Sequence, residues 1–168
     1  MIKIREIREQ DAGQFLALSK QLDEETQFML LEPGERLTTS EGQKKLIQQT
    51  LTLNNRMILV AETEGQLVGY IAGLGGSYHR NKHKADVVIG ILQAYGGQGL
   101  GTRLFFALEE WARARGLHRL ELTVMAHNER AISLYRKMGF VEEGLSVDSL
   151  YVDGRYVDEL DMAKILDD

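Results

Sequence analysis

The sequence has no cysteine and only one proline, Pro33. Without thiols there is no disulfide framework, no cysteine-ligated zinc and no thiol nucleophile. No metal site is expected. One proline and 43% hydrophobic residues argue against a disordered chain. Long apolar runs are also missing: none approaches the ~18 residues that span a membrane. The opening residues MIKIREIREQ alternate charged and apolar side chains, which is not the pattern of a secretory leader. The expectation is a cytoplasmic protein with no membrane contact. Nor is there an excess of basic residues. A formal net charge of −5 argues against nucleic-acid binding, although a local site can override the global sign. Residues 1–168 are read as one domain, long enough for a substantial core.

What the chain has in abundance is glycine at one place. Residues Ile89 to Thr102 read IGILQAYGGQGLGT, with Gly96, Gly97, Gly99 and Gly101 close together. An apolar strand runs into this turn, and a helix follows with Leu100, Leu104, Leu108 and Trp111 on one face. A glycine turn feeding a helix N-terminus offers unpaired N–H groups and a favourable dipole to an anion. Glycines also let the main chain approach a phosphate without a Cβ in the way. A tight turn with no ligand is the alternative, but four glycines exceed what a turn needs. The spacing is not the dinucleotide pattern G-x-G-x-x-G, since Thr102 or Leu104 falls at the third position. No Gly-Lys-Ser/Thr follows, so a P-loop is excluded too.

The rest of the chain supplies the surrounding elements. Ile2 to Ile7 alternate as a strand. Asp11 with Gln14, and Thr38 with Glu41, read as capping boxes that open two helices, the second running to about Leu53. MILVAET and LVGYIAGL flank Glu64-Gly65-Gln66 as a hairpin. Residues Arg80 to Lys84, RNKHK, form a basic loop before a strand over Ala85 to Gln93. That loop lies ~25 Å from the glycine turn along the strand, too far to share its phosphates. Gly116 ends the helix that begins at Leu100, and Arg119 to Met125 alternate as a strand. Asn128 caps a helix that stops at Gly139, and Asp153-Gly154 joins two last strands, about Phe140–Tyr151 and Tyr156–Ile165. The predicted order is β-α-α-β-β-β-α-β-α-β-β, an α/β fold with a mixed sheet.

The segment Asn128 to Phe140, NERAISLYRKMGF, adds a second motif. Asn128 and Tyr135 are seven residues apart and share a helix face, ~10 Å apart along the axis, so one ligand arm could contact both. On the residues alone, Tyr135 reads first as a core tyrosine, with Ala131, Leu134 and Met138 as its helical neighbours, Asn128 as a cap and Lys137 as a solvated lysine.

Together the two segments resemble the GNAT N-acetyltransferase superfamily. Its pyrophosphate loop is usually Gln/Arg-x-x-Gly-x-Gly/Ala, against Gly96-Gly97-Gln98-Gly99-Leu100-Gly101 here. The departure is Gly96, which puts one side-chain contact in doubt and leaves the backbone cradle intact. The family's second segment, Asn-x-x-Ala-x-x-Leu-Tyr-x-Lys-x-Gly-Phe, is matched by Asn128, Ala131, Leu134, Tyr135, Lys137, Gly139 and Phe140. The resemblance is close over about Val60 to Glu143. It implies the GNAT acyl-CoA N-acyltransferase fold: a mixed, mostly antiparallel sheet of six or seven strands, flanked by about four helices, whose fourth and fifth strands splay apart. It implies acetyl-CoA as donor, with pantetheine paired to main chain at Ile91, Leu92 and Gln93. The pyrophosphate would lie on Gly97, Gln98, Gly99, Leu100, Gly101 and Thr102, with further cofactor contacts from Asn128, Ala131 and Lys137. Tyr135 would donate a proton to the departing thiolate, and its ordinary pKa of ~10 keeps it protonated at neutral pH.

The implied reaction is direct acetyl transfer to a primary amine of a small molecule or protein, with no acyl-enzyme, as the absence of cysteine allows. The alternative is a GNAT-fold module that binds an acyl-CoA without turnover. A homodimer is implied by the family alone. The general base stays open among Asp86, Glu121, Glu159 and a water chain. In the resembling family the acceptor is usually selected by the segments corresponding to Asp23–Arg36 and about Ser146–Glu159; their acidic residues suit a cationic amine such as a polyamine, aminoglycoside, lysine side chain or protein N-terminus, with a plain solvated surface as the alternative. The chain is similar to bacterial members acting on ribosomal proteins, diamines and amino acids.

Overall fold

The computed structural model describes residues 1–166. Its strands are β1 (Lys3–Glu6), β2 (Arg56–Thr63), β3 (Gln66–Gly75), β4 (Lys84–Ile91), β5 (Arg119–Met125), β6 (Val141–Val152) and β7 (Arg155–Ile165). Its helices are α1 (Ala12–Glu25), α2 (Ser40–Thr52), α3 (Leu100–Ala114) and α4 (Glu129–Lys137). All seven strands join one sheet in the order β1-β2-β3-β4-β5-β7-β6. Only the β4–β5 pair is parallel. The predicted element order holds, and the sheet is the mixed, mostly antiparallel one that the family implies.

Local chemistry explains most of these elements. The β2–β3 hairpin turns on Glu64 (φ 51°) and Gly65 (φ 76°), and the β6–β7 hairpin on Asp153 (φ 49°) and Gly154 (φ 81°). Two left-handed residues in sequence give the turn whose twist matches the flanking strands. Helices cover both faces of the sheet. On one face Phe15 and Leu22 of α1 reach the core, Phe15 packing edge-on against Tyr70 with ring centroids 5.1 Å apart. On the other, the buried Leu104, Phe105 and Leu108 of α3 form the contact. The single tryptophan, Trp111, sits over Gly73, where a Cβ would come within 3.0 Å of its ring.

Two capping assignments need correction. Asp11 does not cap α1: its carboxylate accepts the Arg8 N–H at 2.7 Å and is bound by both outer nitrogens of Arg5 at 2.8 Å. A charged partner outcompetes the local cap, and the segment Glu9–Asp11 tightens into a 3-10 turn. Gln14 instead accepts the N–H of Leu67 at 3.2 Å, tying α1 to β3. The cap of α2 is Thr39, one residue beyond the expected Thr38, through Gly42 N–H at 3.1 Å. The strand predicted over Ala85–Gln93 stops at Ile91, and Gln93–Tyr95 form a 3-10 turn before the glycines.

What positions the site is a failure of pairing. β4 and β5 pair only at Lys84 with Arg119, Ala85 with Leu120 and Asp86 with Glu121. Beyond Asp86 and Glu121 the two strands diverge. Each keeps its other neighbour: β4 stays paired to β3 through Ile91, and β5 to β7 through Met125. The sheet therefore carries a wedge that opens toward the glycine turn.

Candidate active site

A groove of about 670 Å³ occupies this wedge. Its walls are Val87 to Ile91 of β4, Leu122 to Met125 of β5, the glycine turn, and Asn128, Arg130, Ala131, Leu134 and Tyr135 of α4. Phe28, Met29 and Leu30 of the α1–α2 loop, with Leu150 and Glu159 of the last hairpin, close its other side.

The backbone of β4 is presented to the groove by ladder geometry. Leu92 N–H donates to Val68 O at 3.0 Å, so it points toward β3. In an antiparallel ladder alternate residues point oppositely, which aims the main chain of Ile89 and Ile91 into the gap. Gln93 lies past the end of the ladder, and its N–H, expected to face the ligand arm, is instead occupied by Glu25 Oε1 at 2.9 Å, while Gln93 Nε2 donates to Glu25 O at 2.8 Å. The end of α1 is thereby tied to the end of β4.

The glycine turn has the chemistry of an anion cradle. Gly97 (φ 72°) and Gly99 (φ 78°) take left-handed conformations that an L side chain would strain. Gly99 is the N-cap of α3 and offers no side-chain acceptor to the helix. The first bond it accepts comes from Arg103 N at 3.1 Å. The N–H groups of Leu100, Gly101 and Thr102 precede that bond, so the helix itself provides them no acceptor. α4 packs close to this turn: a Cβ on Gly101 would lie 2.7 Å from Leu134 Cδ2.

Arg130 completes the cradle, and the sequence reading missed it. Its Nη2 lies 3.2 Å from where a Cβ on Gly96 would be and 3.3 Å from that of Gly97. The one departure from the family loop, glycine in place of a polar or cationic side chain, is therefore filled by a guanidinium from the next helix. It is the second residue of α4, exposed and two positions after the cap Asn128, which gave no signal; only the packing of α4 against the turn reveals it.

Of the other residues expected from the sequence, Ile91, Gln93, Gly97, Gly99, Leu100, Gly101, Thr102, Asn128, Ala131 and Tyr135 line the groove. Leu92, Gln98 and Lys137 do not. Leu92 is buried beneath the turn, and Gln98 is exposed with its amide 3.5 Å from Ala94 O. Lys137 stands at the rim, donating to Thr102 Oγ1 at 3.3 Å. Asn128 is both cap and groove wall, its Oδ1 accepting Ala131 N–H at 3.3 Å.

Tyr135 is 8% exposed, its ring held edge-on by Phe105 at a centroid distance of 5.7 Å. Its hydroxyl meets no protein acceptor, and it is not among the two sealed, unpartnered side-chain atoms, Arg5 Nε and Trp111 Nε1, of the described residues. The ring is core and the hydroxyl opens to the groove. Burial pushes its pKa up to about 12, well above the ordinary tyrosine value.

The three carboxylates considered as a base separate in space. Asp86 and Glu121 line a different cavity of about 310 Å³ at the closed end of the wedge, with Arg119 and Glu143. Burial and the neighbouring charge of Glu121 raise the Asp86 carboxyl. Burial would raise Glu121 too, but hydrogen bonds from Arg119 and Lys84 hold it below the usual range. Glu159 alone of the three lines the groove.

Residues 19–140 match the protein family described as Acetyltransferase (GNAT) family. The chain belongs to the GNAT acetyltransferase family. A GNAT-family acetyltransferase from Streptococcus pneumoniae superposes with a TM-score of 0.96 at 32% identity, over 99% of this chain and 100% of that one. A ribosomal-protein-alanine N-acetyltransferase from Brucella melitensis does so with a TM-score of 0.85 at 31% identity, over 98% and 99%. The spermidine N(1)-acetyltransferase of Vibrio cholerae is 32% identical over 105 residues, 61% of this chain and 59% of that protein. The matched segments span 52% and 59% of the first two curated relatives' lengths. The splayed β4–β5 pair, which the GNAT resemblance implied and periodicity could not, is thus found in this chain.

Proposed function

We propose that the protein transfers the acetyl group of acetyl-CoA directly to a primary amine, with residues 1–168 acting as one catalytic domain. The observation that carries this reading is the wedge itself: one groove joins an anion cradle, free main-chain groups on β4 and the Tyr135 hydroxyl. Acetyl-CoA would supply an activated thioester carbonyl and a sulfur leaving group. Relatives named for spermidine and for ribosomal-protein alanine fit a primary amine as the other substrate.

The roles follow from chemistry already described. The N–H groups of Leu100, Gly101 and Thr102, with Arg130, hold the pyrophosphate; Gly97 and Gly99 keep the backbone open to it. Lys137 and Thr102 lie at the rim beside it. Main chain of Ile89 and Ile91 orients the pantetheine arm and polarises the reacting carbonyl. Asn128 and Ala131 line the path of the arm, and the apolar walls exclude water. Tyr135 keeps a proton at its Oη throughout neutral pH, which a departing thiolate requires. An alkylamine with a pKa of ~10.4 must lose a proton before it can act as nucleophile. Much of the acceleration then comes from holding two substrates in register.

The test is heat protection by coenzyme A together with free-thiol release from acetyl-CoA over a panel of amines. Protection and amine-dependent release are expected. Protection with no release from any acceptor would favour the binding module without turnover, and no protection would overturn both readings. Arg130→Ala is expected to weaken coenzyme A binding roughly 10-fold or more, the value of a charge-assisted hydrogen bond. The thiol-release rate at saturation should stay near native; unchanged binding measured by calorimetry would contradict the role given to Arg130.

We also propose a homodimer through β6. This twelve-residue strand is paired on one side only, by β7, and exposes Val141, Leu145, Val147 and Tyr151. An edge of that length and character is normally covered. Light scattering is expected to give twice the chain mass of 19.0 kDa; a monomer at micromolar concentration would refute it.

A further inference from the structure

Nine acidic residues lie in the two segments that frame the open side of the groove: Asp23, Glu24, Glu25, Glu32, Glu35, Asp148, Asp153, Asp158 and Glu159. In the fold most of them serve the protein. Asp23 is buried and bound by Arg36 at 2.7 and 3.0 Å. Glu25 accepts Gln93 N–H, Glu35 accepts Glu32 N–H at 2.7 Å, and Asp158 accepts Asp148 N–H at 2.8 Å. Asp153 forms the hairpin turn. Among the residues lining the groove, Glu159 is the one carboxylate and Arg130 the one cation.

Glu159 is placed with some care. Between the pairs Ser146–Glu159 and Leu150–Val157, three residues of β6 stand against one of β7, so β6 bulges there. Asp148 takes a φ of 50° within that bulge. The irregularity delivers Ser149 Oγ to Glu159 Oε1 at 2.5 Å. Bulges re-aim side chains next to sites in this way. Glu159 lies opposite Met125 in the ladder, half-buried, and no arginine or lysine pairs with it among the described residues. The same groove is lined by the apolar Phe28, Met29, Leu30, Met125 and Leu150, and its other polar side chains there, Thr26, Thr123 and Asn128, are uncharged.

We infer that Glu159, positioned by Ser149, binds the ammonium group of the acceptor, and that the acceptor is a monocationic primary amine on an apolar body. The inference rests on the amine-acetylation reading and narrows it. One carboxylate in an apolar wall matches one ammonium. A polyamine or aminoglycoside would bring further cations into a wall with no second carboxylate, each then desolvated without a partner. A free amino acid would bring a carboxylate, and the groove's one cation already lies against Gly96 and Gly97. Selection here works as much by what the wall leaves unpaired as by what it binds.

The test is calorimetry with hexylamine and with spermidine, in the presence and absence of coenzyme A, on native protein and on Glu159→Gln, Ser149→Ala and Ser149→Thr. Hexylamine is expected to bind native protein at least as tightly as spermidine. It should bind Glu159→Gln roughly 10- to 100-fold more weakly, the range for a hydrogen-bonded charge. Ser149→Ala should weaken it less, and Ser149→Thr should restore it; a merely structural serine would not show that rescue. In turnover the loss should fall on KM for hexylamine, with kcat nearly kept. Native-like binding by Glu159→Gln, tighter binding of spermidine, or no hexylamine binding at all would overturn the inference. Because amine binding is read without turnover, these results stand apart from coenzyme A binding, whose failure would instead sink the acetyl-transfer reading.

Discussion

Tyr135→Phe is expected to lower amine-dependent thiol release by about 10²- to 10⁴-fold, the range for a lost general acid. Coenzyme A binding should be nearly unchanged, because the ring keeps its packing on Phe105 and Phe140 and only the hydroxyl is removed. The effect has a distinctive pH signature. Burial raises the phenol to about 12, so the proton is held at every pH at which the assay is practical. The ratio of native to variant rates should therefore be constant from about pH 6 to pH 10, whereas an ordinary tyrosine would begin to ionise near the upper end. Any limb of the native pH profile in that range belongs to the amine or to another group, and it should survive the substitution. A variant with the native rate would remove Tyr135 from the mechanism.

The second large effect is on stability. Arg36→Ala should destabilise the protein by about 3–5 kcal/mol, the cost of leaving a buried charge without its partner. Asp23 is 2% exposed and takes two hydrogen bonds from Arg36, whose own charge is in turn favoured by that carboxylate. Removing Arg36 leaves Asp23 at the buried end of α1 with no other cation. For a chain of this size the loss is a fall in Tm of roughly 10 °C. Arg36 also closes the loop that carries Phe28, Met29 and Leu30 to the groove, so the variant should raise KM for the amine more than for the donor. The double variant Asp23→Leu, Arg36→Leu should regain much of the stability, since replacing both partners removes the orphaned charge. Thermal unfolding checks both; an Arg36→Ala Tm within a degree or two of native would show that the pair contributes little.

These effects divide along the line between local and tertiary information. The hairpins at Glu64-Gly65 and Asp153-Gly154, the cap at Asn128 and the stop at Gly116 were legible because each is fixed by its own neighbours. The glycine turn and Tyr135 were legible through two motifs that resemble a known family. The end of β4–β5 pairing after Asp86 was not legible in the sequence, since Val87 to Ile91 form the same continuous apolar run that a strand paired on both sides would show. It depends on β5 following β7 instead of β4. Arg130, the Asp23–Arg36 pair and the Glu25–Gln93 tie join residues far apart in sequence, and no local pattern marks them. Asp11 shows the converse: its sequence context favoured a cap, but Arg5 on β1 offered a stronger partner. Likewise the acidity of the two acceptor-facing segments reads as one property in the sequence. The fold divides it: Asp23, Glu25, Glu35 and Asp158 are taken up by internal bonds, and Glu159 is left to the groove.

The most direct test of the account is the fate of a labelled acetyl group. The protein would be incubated with ¹³C-acetyl-CoA and an accepted amine, and both protein and amine examined by mass spectrometry during turnover. Direct transfer predicts label on the amine nitrogen, one acetyl per coenzyme A released, and none on the protein at any time. Label appearing on the protein before the amine, or coenzyme A released with no acetylated amine, would contradict it.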